Sequence, residues 1–396
     1  MKKKLFILGA GRGQVGLIRT AKDMGLYTIV ATASPNYPGV PIADEICMVD
    51  IANPEEVCHK AASLHIDGVA TSCLDTGVRA LGYTCDHLHL PGLSYNAAIM
   101  CNDKYLMKEA LTMANVNTAR FQKVDTMDSL ESAMNVLHFP LIIKATDLQG
   151  SRGIFIVRTC EEARKAFTDV MGMTKQSYCI IEEFIEGEEF GAQAFVYNGE
   201  VLFVLPHGDK TFMSHTAVPV GHYAPYEKSE EIKKQTEEMV KKAVKAIGLD
   251  NCAVNMDLIL KDDTVYVIEL TGRVGANCLP ELVSIYYGID YYKMIAKCAI
   301  GLDPREEFSR KSNEETANLS QMLQSDKGGV LKAIQNHNTP SDSIYEMTFF
   351  VKPGDEVRKF TNSNDCIGQV IVKGRDLADC YKIMEKTVSN IEFIIE

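Results

Sequence analysis

Two acidic side chains and one guanidinium form the pattern in this sequence that points most directly to chemistry. Asp257 and Glu269 lie within or just after two apolar runs, residues 254–260 and 265–268, and Arg273 follows shortly afterwards. The polar segment between the runs predicts a hairpin turn, so both carboxylates would lie side by side on adjacent strands. Two close carboxylates need a cation or a proton. Because Mg²⁺ takes oxygen ligands and usually carries substrate phosphates, the hairpin predicts a magnesium site, with two unrelated surface acids as the alternative.

Two lysines are candidates for phosphate contacts. Lys104 lies in the first turn of a predicted amphipathic helix, where a positive charge opposes the helix dipole, which indicates another partner. Lys144 ends an apolar strand over residues 139–144 and would be buried without an anionic partner. The Gly-rich segment 149–153 and a strand at 154–157 come next. This pattern predicts a hairpin that folds over a triphosphate, unlike a Walker loop, which leads into a helix.

Two further segments have a composition suited to binding. Residues 179–190 begin as an apolar strand and continue as an acidic stretch interrupted by Gly187. An extended backbone beside an apolar wall can pair with an adenine edge, and a nearby acid can accept ribose hydroxyls; a solvated acidic turn is the alternative. Residues 207–222 are polar and contain three histidines without metal-site spacing, so we predict a substrate-binding loop there.

The first hundred residues alternate strands with helices, which is typical of a doubly wound parallel sheet. Gly11, Gly13 and Gly16 match the G-x-G-x-x-G pattern of dinucleotide-binding proteins. The predicted second strand, however, ends at residues 29–34 without the acid that holds a ribose hydroxyl. We therefore favour another ligand at the helix N-terminus. Asp75 is a candidate for lining the cleft that would hold this ligand, or for capping a helix.

Composition and charge exclude several classes of protein. A length of 396 residues predicts two or three domains, and a net charge of −12 argues against general nucleic-acid binding. The sequence has no apolar run of membrane-spanning length, so we expect no membrane segment. The 12 cysteines are scattered without a C-x-x-C pair. They are expected to be reduced thiols in the cytoplasm.

The order of Lys144, the glycine-rich loop, the acidic stretch, Asp257, Glu269 and Arg273 resembles that of the ATP-grasp superfamily. The similar branch holds biotin carboxylase, the carbamoyl-phosphate synthetase large subunit, phosphoribosylglycinamide synthetase and the dipeptide ligases. The resemblance implies a fold of α/β and α+β type with three parts. They are an N-terminal doubly wound parallel-sheet domain, an ATP-grasp domain with a lid subdomain, and a small C-terminal α+β domain: residues 1–100, 101–310 (lid about 117–186) and 316–396.

The resemblance also implies ATP and Mg²⁺ as cofactors, with Mn²⁺ as an alternative metal, and a role for each site residue. Lys104 and Lys144 would bind the ATP phosphates, and Lys144 and Arg273 would act in catalysis. The other implied positions are the lid loop, the adenine and ribose contacts and the metal ligands: Gly150, Ser151 and Gly153; Glu182, Glu183, Ile185 and Glu189; Asp257, Glu269 and Thr271. The family usually has Asn where this chain has Thr271, so a second Mg²⁺ is expected to bind more weakly.

The function implied is that of a carboxylate–amine ligase. ATP would activate a small carboxylate as an acyl phosphate, an amine would attack it, and ADP and phosphate would be released. We expect small-molecule substrates, no nucleic-acid or membrane partner, and a homodimer as the assembly to test. The alternatives are a bicarbonate-activating enzyme related to carboxylases or carbamoyl-phosphate synthases, an NAD-dependent oxidoreductase, and an ATP-binding regulator without turnover.

Overall fold

The computed structural model describes residues 2–148, 153–213 and 217–396, and only the backbone of Met213 and Ala217. The first region contains β1 (Lys4–Leu8), α1 (Arg12–Asp23), β2 (Tyr27–Thr32), β3 (Glu45–Met48), α2 (Pro54–Leu64), β4 (Gly68–Ala70), α3 (Val78–Leu88), α4 (Tyr95–Asn102) and α5 (Lys104–Met113). Its strands form a parallel sheet in the order β3-β2-β1-β4. The predicted doubly wound α/β fold is confirmed.

Two glycines of the G-x-G-x-x-G pattern allow close packing. A Cβ atom on Gly13 would lie 2.5 Å from Cβ of Cys73, and one on Gly16 would lie 2.3 Å from Cε2 of Tyr292. The amide of Gly11 donates to Oε1 of Gln14 at 2.8 Å, so the start of α1 is partly capped by its own helix. Packing against neighbouring side chains therefore accounts for these glycines without a dinucleotide.

The second region is a small antiparallel sheet with two helices. It contains β5 (Phe121–Val124), α6 (Met127–Met134), β6 (Leu141–Ala145), β7 (Ile154–Val157), α7 (Cys160–Met173) and β8 (Cys179–Glu183). The strand order is β5-β8-β6-β7, and the helices cover an apolar core of their own. The apolar run before Lys144 is β6, as predicted. Gly150 and Ser151 of the predicted lid loop lie outside the described residues.

The third region carries the long strands: β9 (Glu188–Tyr197), β10 (Glu200–Met213), β11 (Ala217–Ala224), α8 (Glu230–Ile247), β12 (Cys252–Lys261), β13 (Thr264–Thr271), α9 (Leu279–Tyr287), α10 (Tyr291–Ala299) and α11 (Arg305–Phe308). The predicted hairpin of Asp257 and Glu269 is β12–β13. The predicted loop at 207–222 is wrong, because His207 and His222 lie in the paired strands β10 and β11. Cross-strand pairing outweighs the polar composition and the Pro and Gly residues of this segment.

The last region contains β14 (Ala317–Leu323), β15 (Gly329–Asn336), β16 (Ile344–Phe349), β17 (Glu356–Val357), β18 (Gly368–Gly374), α12 (Leu377–Ser389) and β19 (Ile391–Ile395). Three of its strands extend the central sheet, whose order is β13-β12-β9-β10-β11-β14-β18-β16. The other three form the sheet β17-β15-β19. The domain limits predicted above stay predictions. Within the described residues, no helix is both long and apolar enough to span a membrane.

Candidate active site

The β12–β13 hairpin brings two carboxylates together. Asp257 and Glu269 are direct cross-strand partners, and a register shift follows Asp257. Burial, the Glu269 carboxylate and the Asp209 carboxylate raise the pKa of Asp257 to about 7. A carboxylate with this pKa is stabilised by a proton or by a cation. The donor set is made of oxygen atoms, so it fits Mg²⁺ or Mn²⁺.

Lys104 contacts this hairpin from α5. Asp103 caps the helix by accepting from the amides of Tyr105 and Leu106, which makes Lys104 its first residue. The Nζ atom of Lys104 lies 3.3 Å from Oε2 of Glu269 and donates to the carbonyl of Leu148 at 3.0 Å. Lys104 lowers the pKa of Glu269, and its own pKa is raised because the carboxylate outweighs the effect of burial. Lys104 therefore lies beside a predicted metal carboxylate, and its contact with the ATP phosphates stays a prediction.

A buried triad of charges connects α5, β6 and β8. Oε1 of Glu182 lies 2.5 Å from Nζ of Lys144, and Oε2 lies 2.6 Å from Nζ of Lys108. All three side chains are buried. Burial would raise the pKa of Glu182, but the two lysines outweigh it and lower that pKa to about 2. The Lys108 ammonium also donates to Oγ1 of Thr118 at 2.7 Å.

Sequence reasoning missed Lys108. It lies one helical turn after Lys104, and residues at i and i+4 share a face of a helix. That spacing was the available signal. Burial and Lys144 lower the pKa of Lys108, with Glu182 acting in the opposite direction.

The other predicted nucleotide contacts lie on β8, on β9 or between them. The Glu183 side chain lies apart from the triad and accepts from Nη1 of Arg120 and from the backbone amide of His138, both at 3.1 Å. Ile185 lies between β8 and β9, and Glu189 is near the start of β9, where desolvation and the Asp209 carboxylate raise its pKa.

At the base of the lid hairpin, Gly153 has φ +66°, and its carbonyl accepts from the amide of Ala145 at 3.0 Å. The positive φ is a conformation that favours glycine.

Arg273 pairs with Asp75 across two regions. Its Nε donates to Oδ1 of Asp75 at 2.8 Å, and Nη2 lies 2.5 Å from Oδ2. Burial would lower the pKa of Arg273, but the Asp75 carboxylate outweighs it and raises that pKa further. The described ion pair of Arg273 is thus with Asp75, while Glu269 pairs with Lys104. Thr271 is buried at the end of β13.

Some of these groups line one cleft between the regions. Its walls include both members of the Arg273 pair, Lys104 and one carboxylate of the hairpin, together with the following residues: Cys101, Asn102, Asp147, Leu148, Asn255, Leu270 and Thr271. The lysine, the arginine and the carboxylates of this cleft suit a polyphosphate bound with a divalent metal.

A second polar cluster adjoins the hairpin. Oδ1 of Asp209 lies 3.0 Å from Nδ1 of His207 and 2.6 Å from Nδ1 of His222. The Nε2 atom of Gln193 lies 3.3 Å from Nε2 of His207 and donates to Oδ1 of Asn255 at 2.6 Å. Sequence spacing did not reveal this cluster, because its members meet only through the pairing of β10 with β11.

Two known protein families match the chain. The ATP-grasp (A) domain of phosphoribosylglycinamide synthetase matches residues 102–275. The L-amino acid ligase C-terminal domain 2 matches residues 321–396. The two matches lie on opposite sides of α9 to α11, and the first contains both the hairpin and the triad.

Similar proteins cover all or part of the chain. Phosphoribosylglycinamide synthetase from Anaerococcus prevotii is 54% identical, with 100% of both chains covered and a TM-score of 0.89. L-amino acid ligase from Bacillus licheniformis has the same fold, at 19% identity over 100% of this chain and 99% of that chain, with a TM-score of 0.83. Alanine–anticapsin ligase from Bacillus subtilis is 24% identical over 265 residues, which are 61% of this chain and 55% of that protein. The chain thus spans about half the length of that curated relative.

Proposed function

This chain belongs to the ATP-grasp superfamily, and we propose that it is an ATP-dependent ligase that joins the carboxylate of an amino acid to an amine. The names of its relatives support this substrate class. They are a glycinamide synthetase, an alanine ligase and an L-amino acid ligase. The cytoplasm is the proposed location, since all 12 cysteines are free thiols, and a homodimer is the proposed assembly.

The arrangement of charge supports the first half of the reaction. A carboxylate is a poor electrophile because its leaving group would be oxide, so phosphorylation by ATP is needed to make it reactive. In this proposal Lys104 and Lys144 would neutralise the transferring phosphoryl group, and Arg273 would hold the carboxylate and the acyl phosphate derived from it. In this proposal the lid residues Gly150, Ser151 and Gly153 close over the phosphates and exclude water.

Asp257 and Glu269 would hold the metal, with Thr271 beside them. Bound Mg²⁺ would neutralise phosphate charge and fix the phosphate orientation. Backbone groups from Glu182 to Ile185 would contact adenine, and Glu189 would accept the ribose hydroxyls.

The single observation that carries the proposal is the cross-strand apposition of Asp257 and Glu269 beside Lys104. Asp257, whose pKa is raised to about 7 by burial and by the Glu269 carboxylate, is costly to keep charged unless a cation binds beside it. A regulator that only binds nucleotide would not require the second pair, Arg273 with Asp75, at the same cleft.

The test uses purified protein, Mg·ATP, hydroxylamine and each of the twenty common amino acids in turn. We expect equal amounts of ADP and amino acid hydroxamate with one acid or a small group of acids, and no product without Mg²⁺. Bicarbonate-dependent ADP release without hydroxamate would instead favour the bicarbonate-activating alternative. A rise in melting temperature with Mg·ATP but no ADP release under any condition would favour the regulator.

A further inference from the structure

We propose that His222, oriented by Asp209, accepts the proton of the attacking amine in the second half of the reaction. This inference rests on the proposed ligase function. The cluster of His207, Asp209 and His222 is not used by the phosphoryl-transfer step described above. An amine that arrives as an ammonium ion cannot attack until it loses a proton, so the reaction requires a base.

The sheet register places the cluster on the same face as the metal hairpin. Across neighbouring strands, Glu269 is opposite Asp257, Asp257 is opposite Gly191, and Gly191 is opposite His207. Direct cross-strand partners have their side chains on one face of a sheet. A Cβ atom on Gly191 would lie 2.4 Å from Cε1 of His207, so the imidazole lies over the glycine on the side of Asp257.

Two hydrogen bonds of the Gln193 side chain determine which ring nitrogen of His207 carries the proton. The amide of Gly275 donates to Oε1 of Gln193 at 3.0 Å, which fixes the orientation of the Gln193 side chain. Its Nε2 therefore faces Nε2 of His207. An amide nitrogen can only donate, so Nε2 of His207 accepts and its ring proton is on Nδ1. His207 is a neutral ring that donates to Asp209, and burial keeps its pKa low.

Among the described residues, Nε2 of His222 is the ring nitrogen of this cluster that has no assigned partner. Its Nδ1 donates to Asp209, because an ionised carboxylate only accepts. The two histidines outweigh burial and hold the pKa of Asp209 well below its usual range. The side chain of His222 is 3% exposed, and its Nε2 has no hydrogen-bond partner within the described part of the chain. An unpartnered buried polar atom requires an explanation, and a catalytic role is one that fits its position in this cluster.

The same three side chains lie close enough together to hold a metal ion, and the proton positions decide between the two roles. Both imidazoles direct Nδ1 towards the same oxygen of Asp209. A metal there would require His207 without its Nδ1 proton, which would place a hydrogen on Nε2 facing the Gln193 amide hydrogens. The fixed orientation of Gln193 excludes that tautomer, so the geometry favours a carboxylate-oriented base over a metal site.

The proposed step balances as follows. Nε2 of His222 takes one proton from the substrate ammonium, which frees the nitrogen lone pair. That lone pair forms the C–N bond to the acyl carbon, and the C–O bond to phosphate breaks with its electrons leaving on phosphate. The second nitrogen proton passes to the departing phosphate. Asp209 stabilises the imidazolium that forms and so acts as a positioning residue.

The experiment compares two nucleophiles of similar size, methylamine and hydroxylamine, with Mg·ATP and the amino acid selected by the hydroxamate screen. Methylamine is an ammonium ion at neutral pH and needs a base, whereas hydroxylamine is largely unprotonated. In His222→Asn we expect the ratio of methylamine-dependent to hydroxylamine-dependent ADP release to fall about 100-fold. Asp209→Asn should lower the same ratio less. The exposed His59→Asn is the control and should leave the ratio unchanged.

Several outcomes would overturn the proposal. One is an equal loss with both nucleophiles in His222→Asn, which would indicate a structural or phosphoryl-transfer role; His222→Gln repeats the test if the first variant does not fold. Another is an unchanged ratio in a folded variant. A third is a stoichiometric metal ion in the purified protein that is lost in His222→Asn. Absence of hydroxamate in the wild type would instead contradict the ligase function itself, so the two failures are distinguishable.

Discussion

The triad around Glu182 and the hairpin of Asp257 and Glu269 surround their carboxylates with opposite charge, so the pKa values of Glu182 and Asp257 shift in opposite directions. In the triad, one carboxylate lies between two lysines, Lys108 and Lys144, and the pKa of Glu182 falls to about 2 because these lysines outweigh burial. In the hairpin, two carboxylates share one nearby lysine, and burial and the second carboxylate raise the pKa of Asp257 to about 7. The first cluster has an excess of positive charge and the second an excess of negative charge.

This difference separates a carboxylate that is already paired within the protein from a carboxylate pair that awaits a cation. The triad is satisfied internally, so removing its carboxylate leaves two buried cations without a partner. The hairpin is completed only when a cation binds, so removing one of its carboxylates relieves repulsion. A phosphate chain is attracted to the first cluster and its metal to the second, which is the orientation proposed for Mg·ATP in this cleft.

The largest change in stability is expected for Glu182→Gln. The variant keeps the shape of the side chain but leaves Lys108 and Lys144 buried without a carboxylate, which costs about 3 kcal/mol or more. Urea unfolding measures this loss. The control is Glu183→Gln, whose Arg120 partner is exposed, and it should lose at most about 1 kcal/mol. Equal stability of both variants would show that the triad is not a structural ion cluster.

A smaller effect, on the pH dependence of stability, is expected for Asp257 in metal-free protein. Burial and the nearby carboxylates raise its pKa from 3.8 to about 7, so the folded state binds this proton more tightly than the unfolded state does. This group therefore makes stability fall as pH rises from 3.8 to about 7. Asp257→Asn should remove that slope.

Glu182 acts in the reverse direction, because Lys108 and Lys144 lower its pKa from 4.5 to about 2. Its contribution is present above pH 4.5 and is lost as pH falls towards 2. Melting temperatures of the wild type, Asp257→Asn and Glu182→Gln, measured in a metal chelator from acid to neutral pH, separate the two slopes. The comparison would be wrong if Asp257→Asn left the pH dependence unchanged.

The smallest effect is expected for Thr271→Asn. An amide oxygen is a better metal ligand than the buried hydroxyl at this strand end, so Mg²⁺ affinity should be kept or improved a few-fold. The measurement is a Mg²⁺ titration of ADP release. Thr271→Val, which removes the hydroxyl, is the matched variant and should weaken Mg²⁺ binding. Weaker binding in Thr271→Asn would place this residue outside the metal site.

Local patterns were sufficient to predict the hairpin. Period-two apolar runs and a polar turn specify β12 and β13, and their register places Asp257 opposite Glu269. The ends of the helix α8 also carry local sequence signals. Ser229 caps its first turn, and Gly248 ends it with a positive φ. The family resemblance supplied the placement of Lys104 and Lys144.

Contacts between distant segments could not be predicted in this way. Lys108 meets Glu182 only after the second region folds against α5, and Arg273 meets Asp75 across 198 residues. The segment with His207 and His222 looks like a loop by composition, yet its position between β9 and β14 makes it two strands of the central sheet. The packing role of Gly13 and Gly16 depends on Cys73 and Tyr292, which no short-range pattern identifies.

The central claim is that the hairpin carboxylates serve a bound cation and not the fold. Measuring melting temperature and ADP release on the same Glu269→Gln protein tests it most directly. We expect ADP release to be abolished and the melting temperature in metal-free buffer to stay near the wild-type value, because the relief of repulsion from Asp257 offsets the loss of the Lys104 ion pair. A lower melting temperature with undiminished ADP release would contradict the account, since Glu269 would then be a structural partner of Lys104 and not a metal ligand.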